Sequence, residues 1–236
     1  MPNLKYRSYT DEMGDRADLP VEDVHLNMKE LNSINNLLGG HKITLAGIKK
    51  LLENTKKSKP VSICEIGSGG GDNLYAINLY CKKNNIKANF TGIDIKEQCI
   101  SYSMQRYPDL NATWIKSDYQ NVDLTSNKPD IIFSSLFCHH FTEPALIQMM
   151  AWMRKNSNKG FFINDLQRHP LAYYLIKLLT GFFSKSYLVK NDAPLSVARS
   201  LKKDEWISIM ASAGIIHYSI DWKWAFRYLI VCKNEQ

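Results

Sequence analysis

The stretch VSICEIGSGGGDNLYAINLY, Val61 to Tyr80, constrains this chain more than any other. A strand-like apolar run opens into four glycines and a serine, then resumes with helical spacing. Glycine is entropically costly inside regular structure, so its concentration at this junction implies that something approaches the backbone closely. Read in register, the loop is Glu65-x-Gly67-x-Gly69-x-Gly71, at a strand end and ahead of a helix. A ligand can lie there against peptide groups near a helix N-terminus. The spacing departs from the dinucleotide pattern G-x-G-x-x-G, because Asp72 stands where the third glycine belongs, and no Gly-Lys-Ser/Thr follows as a P-loop requires. A carboxylate at the helix start also repels a pyrophosphate. The loop suits a ligand with a cationic or neutral body.

The same alternation continues downstream. VSICEI, NFTGIDI, ATWIKS, DIIFSSL and GFFIND read as strands whose near-continuous apolar content suits a parallel sheet covered on both faces. Helical segments fall between them at Asp72–Asn84, Lys96–Arg106 and Glu143–Lys155. Five strand–helix units in sequence imply a doubly wound α/β sheet. The end differs: the amphipathic helix KDEWISIMASAGI stops at Gly214, and HYSIDWKWA and RYLIVCK follow with no room for a crossover helix. Such neighbours pair antiparallel. Upstream, residues 1–55 read as helical, with one helix in VHLNMKELNSINNLLGG ending at Gly39–Gly40 and a second in TLAGIKKLLEN. TKKSKP then reads as a linker. The division expected is a helical extension or lid over 1–58 and a main domain over 59–236 that carries an insert at 167–202.

The chain's 236 residues suffice for one sizeable α/β domain with an appendage. A formal charge of +7 raises the question of nucleic acid, but the lysines are scattered and a solvated basic surface is the expectation. No run is apolar and long enough to span a bilayer, and the N-terminus has no apolar signal core, so a cytoplasmic location is expected. Cys64, Cys81, Cys99, Cys138 and Cys232 show no paired spacing and read as reduced, buried thiols rather than a zinc site.

Two further acids point at the glycine loop. Asp94 ends the second strand some twenty residues on, where a carboxylate can accept both hydroxyls of an adenosine ribose. Asp118 ends the third strand, placed to accept from an exocyclic amine. With these motifs the sequence resembles the class I S-adenosylmethionine-dependent methyltransferases, through CEIGSGGGDN, GIDI, KSDY, PDIIFSSLFCHHF and the closing hairpin, over roughly residues 60–235. The resemblance implies a Rossmann-like, seven-stranded, mostly parallel sheet with an antiparallel last strand, helices on both faces and an N-terminal helical extension. It implies that Gly67, Gly69 and Gly71 line the methionine part of S-adenosylmethionine, that Asp94 holds the ribose, and that Asp118 and Tyr119 flank the adenine. Glu65, Ser68, Ile95 and Leu136, within the same stretches, are assigned to the cofactor with them.

The acceptor is expected where open α/β sheets collect ligands, at the carboxyl strand ends. His139 and His140 lie just beyond the fourth strand and offer proton transfer near pH 7. The fifth strand ends in Asp165, Arg168 and His169, and an Asp165 relay through His169 is a second candidate base. Pro170 starts a helix, LAYYLIKLLTGFF, either a core helix or a lid that receives a hydrophobic acceptor or touches a membrane surface. The insert, with Asp165, Arg168, LAYY and NDAPLSVARS, is similar to a subgroup of bacterial small-molecule methyltransferases. Arg168, Tyr173 and Tyr174 are accordingly expected at the acceptor. Trp222, Trp224, Phe226 and Tyr228 alternate as a strand requires, which favours core packing over a base-stacking platform.

The function expected is methyl transfer from S-adenosylmethionine to a small hydrophobic acceptor such as a phenol, quinol or polyketide, oxygen favoured over carbon, with no metal, by a monomer or homodimer. The rivals are an RNA methyltransferase, suggested by the charge, and a non-catalytic protein that binds the cofactor.

Overall fold

The computed structural model describes residues 3–53 and 59–234; most of the expected linker TKKSKP lies outside them. The sheet has seven strands: β1 (Val61–Ile66), β2 (Ala88–Asp94), β3 (Ala112–Lys116), β4 (Ile131–Ser135), β5 (Gly160–Leu166), β6 (Ser219–Lys223) and β7 (Arg227–Lys233). Their order is β3-β2-β1-β4-β5-β7-β6, parallel except for β7, which runs antiparallel to both β5 and β6. Around it lie α1 (Val21–Leu37), α2 (Gly40–Leu52), α3 (Asp72–Lys83), α4 (Glu97–Arg106), α5 (Glu143–Asn156), α6 (Pro170–Phe183), α7 (Tyr187–Arg199) and α8 (Lys203–Ser212). The antiparallel closing hairpin and the two-faced sheet agree with the sequence expectation.

Strand periodicity sorts the core into two layers. Ile63, Ile131, Phe133, Phe162, Leu229 and Val231 face α2 and α3, while Cys64, Ile66, Ile132, Phe161, Ile163 and Ile230 face α5 and α8. Phe133 and Phe162 stack across the β4–β5 pair with ring centroids 4.9 Å apart. Because both faces are covered, the inner strands are largely apolar, and their buried polar residues, Glu65, Ser134, Ser135, Asn164 and Asp165, gather at the carboxyl ends. All five cysteines are free and buried, two of them, Cys64 and Cys138, fully.

Three sequence expectations need correction. Residues 3–20 are not helical apart from a single 3-10 turn, Met13–Asp15. The segment lacks apolar periodicity and ends in Pro20, after which α1 begins. It lies as a strap over α7, with Ser8 N–H on Ala198 O at 3.0 Å and the Met13 and Gly14 amides on the Asp192 carboxylate at 2.9 and 2.7 Å. Second, the β3–β4 connection contains only a 3-10 turn, Tyr119–Asn121, in place of a helix. Third, the aromatic alternation breaks where β6 ends at Lys223. Trp222 and Trp224 are 52% and 65% exposed, and residues 224–226 form a turn; only Tyr228 joins the core.

Candidate active site

The carboxyl ends of β1, β2, β4 and β5 open into a cavity of about 750 Å³, roofed by α1, α6, α7 and the N-terminal strap. Apolar side chains dominate its roof, among them Met28, Leu31 and Ile34 of α1 and Ile176 and Leu179 of α6.

At one end lies the glycine loop. Gly67, at φ +66°, continues β1 into the turn, and a Cβ there would overlap the Phe137 ring. Gly71, at φ +74°, is the N-cap of α3. A Cβ on it would come within 2.6 Å of Trp114, so this glycine serves close packing and does not line the cavity, contrary to expectation. The other nine expected cofactor residues, Glu65, Gly67, Ser68, Gly69, Asp94, Ile95, Asp118, Tyr119 and Leu136, do line it.

Their bonding is specific. Asp94 accepts the Gly69 N–H on Oδ2 at 2.8 Å and the Lys96 N–H on Oδ1 at 2.9 Å, which locks the second-strand acid to the loop. Burial raises its carboxyl pKa against those bonds. Asp118 caps the Tyr119–Asn121 turn by accepting the Gln120 N–H at 3.0 Å, while the Tyr119 ring packs edge-on to Trp152 at 5.1 Å. Glu65 is 1% exposed; its Oε1 accepts Asn73 Nδ2–H at 2.8 Å, and its Oε2 has no partner. Burial pushes this carboxyl well above the usual carboxylate range, with the Asn73 bond opposing it and Asp72 and Asp94 adding to it. A buried acceptor without a donor is costly. A ligand ammonium group beside Glu65 would satisfy it, and Ser68 Oγ, also without a partner, waits nearby. These residues fit S-adenosylmethionine: an amino acid head at Glu65 and the loop, a ribose at Asp94.

At the other end, His139 Nδ1 and Asp165 Oδ1 are 2.8 Å apart, and His140 Nδ1 and Asp15 Oδ2 are 3.2 Å apart. Burial alone would raise the Asp165 pKa, but the His139 imidazole and its hydrogen bond hold it below the usual value. Between the two histidines sits Glu12 of the strap, 7% exposed, its Oε1 accepting from Ser196 Oγ at 2.8 Å. Burial pushes its carboxyl up to about 7, with His140 and Ser196 working against that shift. Arg199 steadies this corner from behind, donating to the carbonyls of Thr10, His140 and His139 at 2.6, 3.0 and 3.3 Å.

The remaining expected residues are elsewhere. Asp165 bonds His139, not His169. His169 accepts the Leu171 N–H on Nδ1 as the cap of α6, and its ring stacks on Phe226 at 4.9 Å. Arg168 is buried, held by Glu205 Oε1 at 2.5 Å and by the Ser200 and Leu4 carbonyls at 2.6 and 3.3 Å, so no donor of that network is turned to the cavity. Tyr174 borders a separate shallow pocket with Arg168 and His169, and Tyr173 packs edge-on against Tyr174. The α6 face that lines the cavity is instead Ala172, Leu175, Ile176 and Leu179, one helical stripe away.

Sequence reasoning did not find Glu12, Asp15, Asn73 or Arg227. Asn73 follows the glycine loop directly, but Glu12 and Asp15 reach the site only through tertiary packing. Arg227 lines the cavity at the start of β7 with Nε and Nη1 unpartnered, and burial brings its guanidinium pKa down to about 10.

Residues 63–160 match a sequence model described as a methyltransferase domain. No curated protein gives a significant match to the chain. Among solved structures, the plantazolicin methyltransferase BpumL in complex with a monoazolic desmethylPZN analog and SAH superposes with a TM-score of 0.65 at 18% identity, over 89% of this chain and 90% of that one. Magnesium protoporphyrin IX methyltransferase (ChlM) from Synechocystis PCC 6803 with bound SAH gives 0.55 at 14% identity, over 84% of each chain. The CurJ carbon methyltransferase gives 0.58 at 18% identity, over 81% of this chain and 53% of that one. The chain thus carries a methyltransferase domain on the class I, S-adenosylmethionine-dependent methyltransferase fold.

Proposed function

We propose that the protein methylates an oxygen of a small, largely hydrophobic acceptor, such as a phenol, quinol or polyketide, with S-adenosylmethionine as donor. The observation that carries this reading is the single cavity that joins the glycine loop and Asp94 to the Glu12–His139–His140 corner beneath apolar walls. S-adenosylmethionine supplies a methyl group already activated on sulfonium, so the acceptor oxygen's lone pair forms the new O–C bond as the S–C electron pair returns to sulfur.

The protein's share is then alignment, exclusion of water and handling of the acceptor's proton. The glycine loop, Glu65 and Asp94 hold the donor. Leu136 and Phe137 separate that end from the histidines, and the apolar stripe of α6 and the strap exclude water. A phenol with a pKa near 10 needs activation at neutral pH. The Glu12–His139–His140 corner, braced by Asp165 and Asp15, is the polar group on this side of the cavity that can provide it. The outer face of α6 leaves Leu178, Phe182 and Phe183 exposed, which suits an acceptor drawn from a lipid surface. Among the described residues no helix is long and apolar enough to cross a membrane.

The test is transfer of labelled methyl from S-adenosylmethionine to a panel of alkylphenols and alkylquinols, with bulk RNA in parallel. Labelled methyl ether products support the proposal. Binding of the donor with no transfer to any panel member would support a non-catalytic role, and label in RNA alone would overturn the acceptor class.

A further inference from the structure

We propose that Glu12, His139 and His140 bind a divalent transition-metal ion, which activates the acceptor oxygen; the role assigned to the ion rests on the methyl-transfer reading above. Each imidazole is already oriented as a metal ligand. His139 has Nδ1 on Asp165 Oδ1 at 2.8 Å, and His140 has Nδ1 on Asp15 Oδ2 at 3.2 Å. A ring nitrogen that bonds a carboxylate carries the proton, so both Nε2 atoms present lone pairs. Both are turned on the same carboxylate: His139 Nε2 lies 3.7 Å from Glu12 Oε1 and His140 Nε2 lies 3.9 Å from Glu12 Oε2.

Those separations are too long for hydrogen bonds. They are close to the spacing of ligands that share one ion: donors about 2.1 Å from a metal at tetrahedral or octahedral angles lie about 3.0–3.4 Å apart. The ligand atoms of the trio all fall within 4.8 Å of one another; a contraction of about half an ångström brings the two His–Glu12 pairs into range, and one of up to about 1.4 Å closes the whole trio around an ion.

Charge points the same way. Three carboxylates, Glu12, Asp15 and Asp165, converge on this corner, two of them nearly fully buried. Arg199 directs its donors to three backbone carbonyls and stays 3.9 Å from both Glu12 and Asp15, and Arg7, which acts on Asp165, spends its Nη2 on the His139 carbonyl at 3.0 Å. Among the described residues Glu12 has no cationic partner at hydrogen-bond distance, and a divalent ion between the histidines takes that place. Two imidazoles and one carboxylate with no thiolate suit iron(II), manganese, cobalt or zinc, with further positions open to the cavity for an oxygen ligand. The ion polarises that oxygen and lowers its proton's pKa without a base of matched pKa. It also ties the strap to the sheet, because Glu12 comes from the strap and the histidines from the end of β4. Asp165 and Asp15 act through the imidazoles and are positioning residues.

The experiment uses the full chain, stripped with chelator and dialysed, then titrated with cobalt(II) while the visible spectrum is read, with elemental analysis after re-dialysis against zinc, manganese and iron(II). The expected result is one ion per chain with d–d bands of a nitrogen–oxygen site. His140→Ala and Glu12→Gln should each weaken binding at least about tenfold, and Asp15→Asn by about 10–100-fold. His169→Ala, outside the cavity, should leave the stoichiometry at one. Donor binding by calorimetry and unchanged melting curves verify that each variant is folded. Wild-type protein that takes up no stoichiometric ion at micromolar free metal, or variants that bind like wild type, would overturn the site. Full methyl transfer by the stripped protein would overturn the ion's role while leaving the methyl-transfer reading intact. Failure to bind S-adenosylmethionine would overturn that reading, although one ion per chain would still uphold the site.

Discussion

Asp94 Oδ2 accepts the backbone N–H of Gly69 at 2.8 Å, so the carboxylate at the tip of β2 and the loop beyond β1 form one rigid unit. The parallel β1–β2 register, which sets Glu65 beside Gly92 and Ile66 beside Ile93, brings both strand ends to the same level. Each Asp94 oxygen spends one acceptor position on the protein and keeps another for a ligand hydroxyl.

Removal of that carboxylate should therefore weaken the donor twice, by losing hydroxyl acceptors and by loosening Gly69. Asp94→Ala is expected to reduce affinity for S-adenosylmethionine by about 1–3 kcal/mol, read by calorimetry. Asp94→Asn, which retains an oxygen for Gly69, should lose less. Equal affinity in wild type and Asp94→Ala would exclude Asp94 from the ribose.

Gly67→Ala places a Cβ at φ +66° and against the Phe137 ring. The backbone alone costs about 1–2 kcal/mol. The variant should melt lower and bind the donor more weakly, whereas Gly181→Ala in α6, where a Cβ meets open space, should do neither. Parallel thermal melts of the two variants check this.

Asp165→Asn changes the partner of His139 while nearly preserving its shape. Turnover should fall by tenfold or more with donor affinity unchanged, as expected when the orientation of a catalytic-site imidazole is lost. His169→Ala should leave turnover near wild type, since this residue caps α6 and lies outside the cavity. A large loss in His169→Ala would restore the relay that the sequence suggested.

Asp72 gives a pH signature. Burial pushes its carboxyl from 3.8 up to about 6, although Tyr107 donates to it at 2.5 Å. A raised carboxyl pKa means that the folded chain holds the proton more tightly. The associated stability is present below the unfolded value and is lost as pH rises through about 6. Asp72→Asn still accepts from Tyr107 and escapes that loss. Relative to the variant, wild-type Tm should drop by a few degrees from pH 4 to 7; parallel curves would contradict the assignment.

The donor end was legible in sequence because its determinants are local: Glu65 to Gly71 and Asp94 sit at strand tips whose apolar runs announce themselves. The acceptor corner was only half legible. His139 and His140 follow β4 directly, but Glu12 joins them across more than a hundred residues, through a strap with no periodic pattern to mark it. Pro194 lies inside α7, although proline removes a helical N–H and ordinarily ends a helix. Packing against α6, α1 and the strap holds α7 together through it. Arg168 misled for a related reason: a charged residue at a strand end can serve a buried ion pair as readily as a ligand, and its pairing with Glu205 depends on α8.

The most direct test of the pocket is calorimetry of the purified protein with S-adenosylmethionine and with its demethylated thioether. One site per chain is expected for each and none for NAD. No heat with either sulfur ligand, together with tight NAD binding, would contradict it.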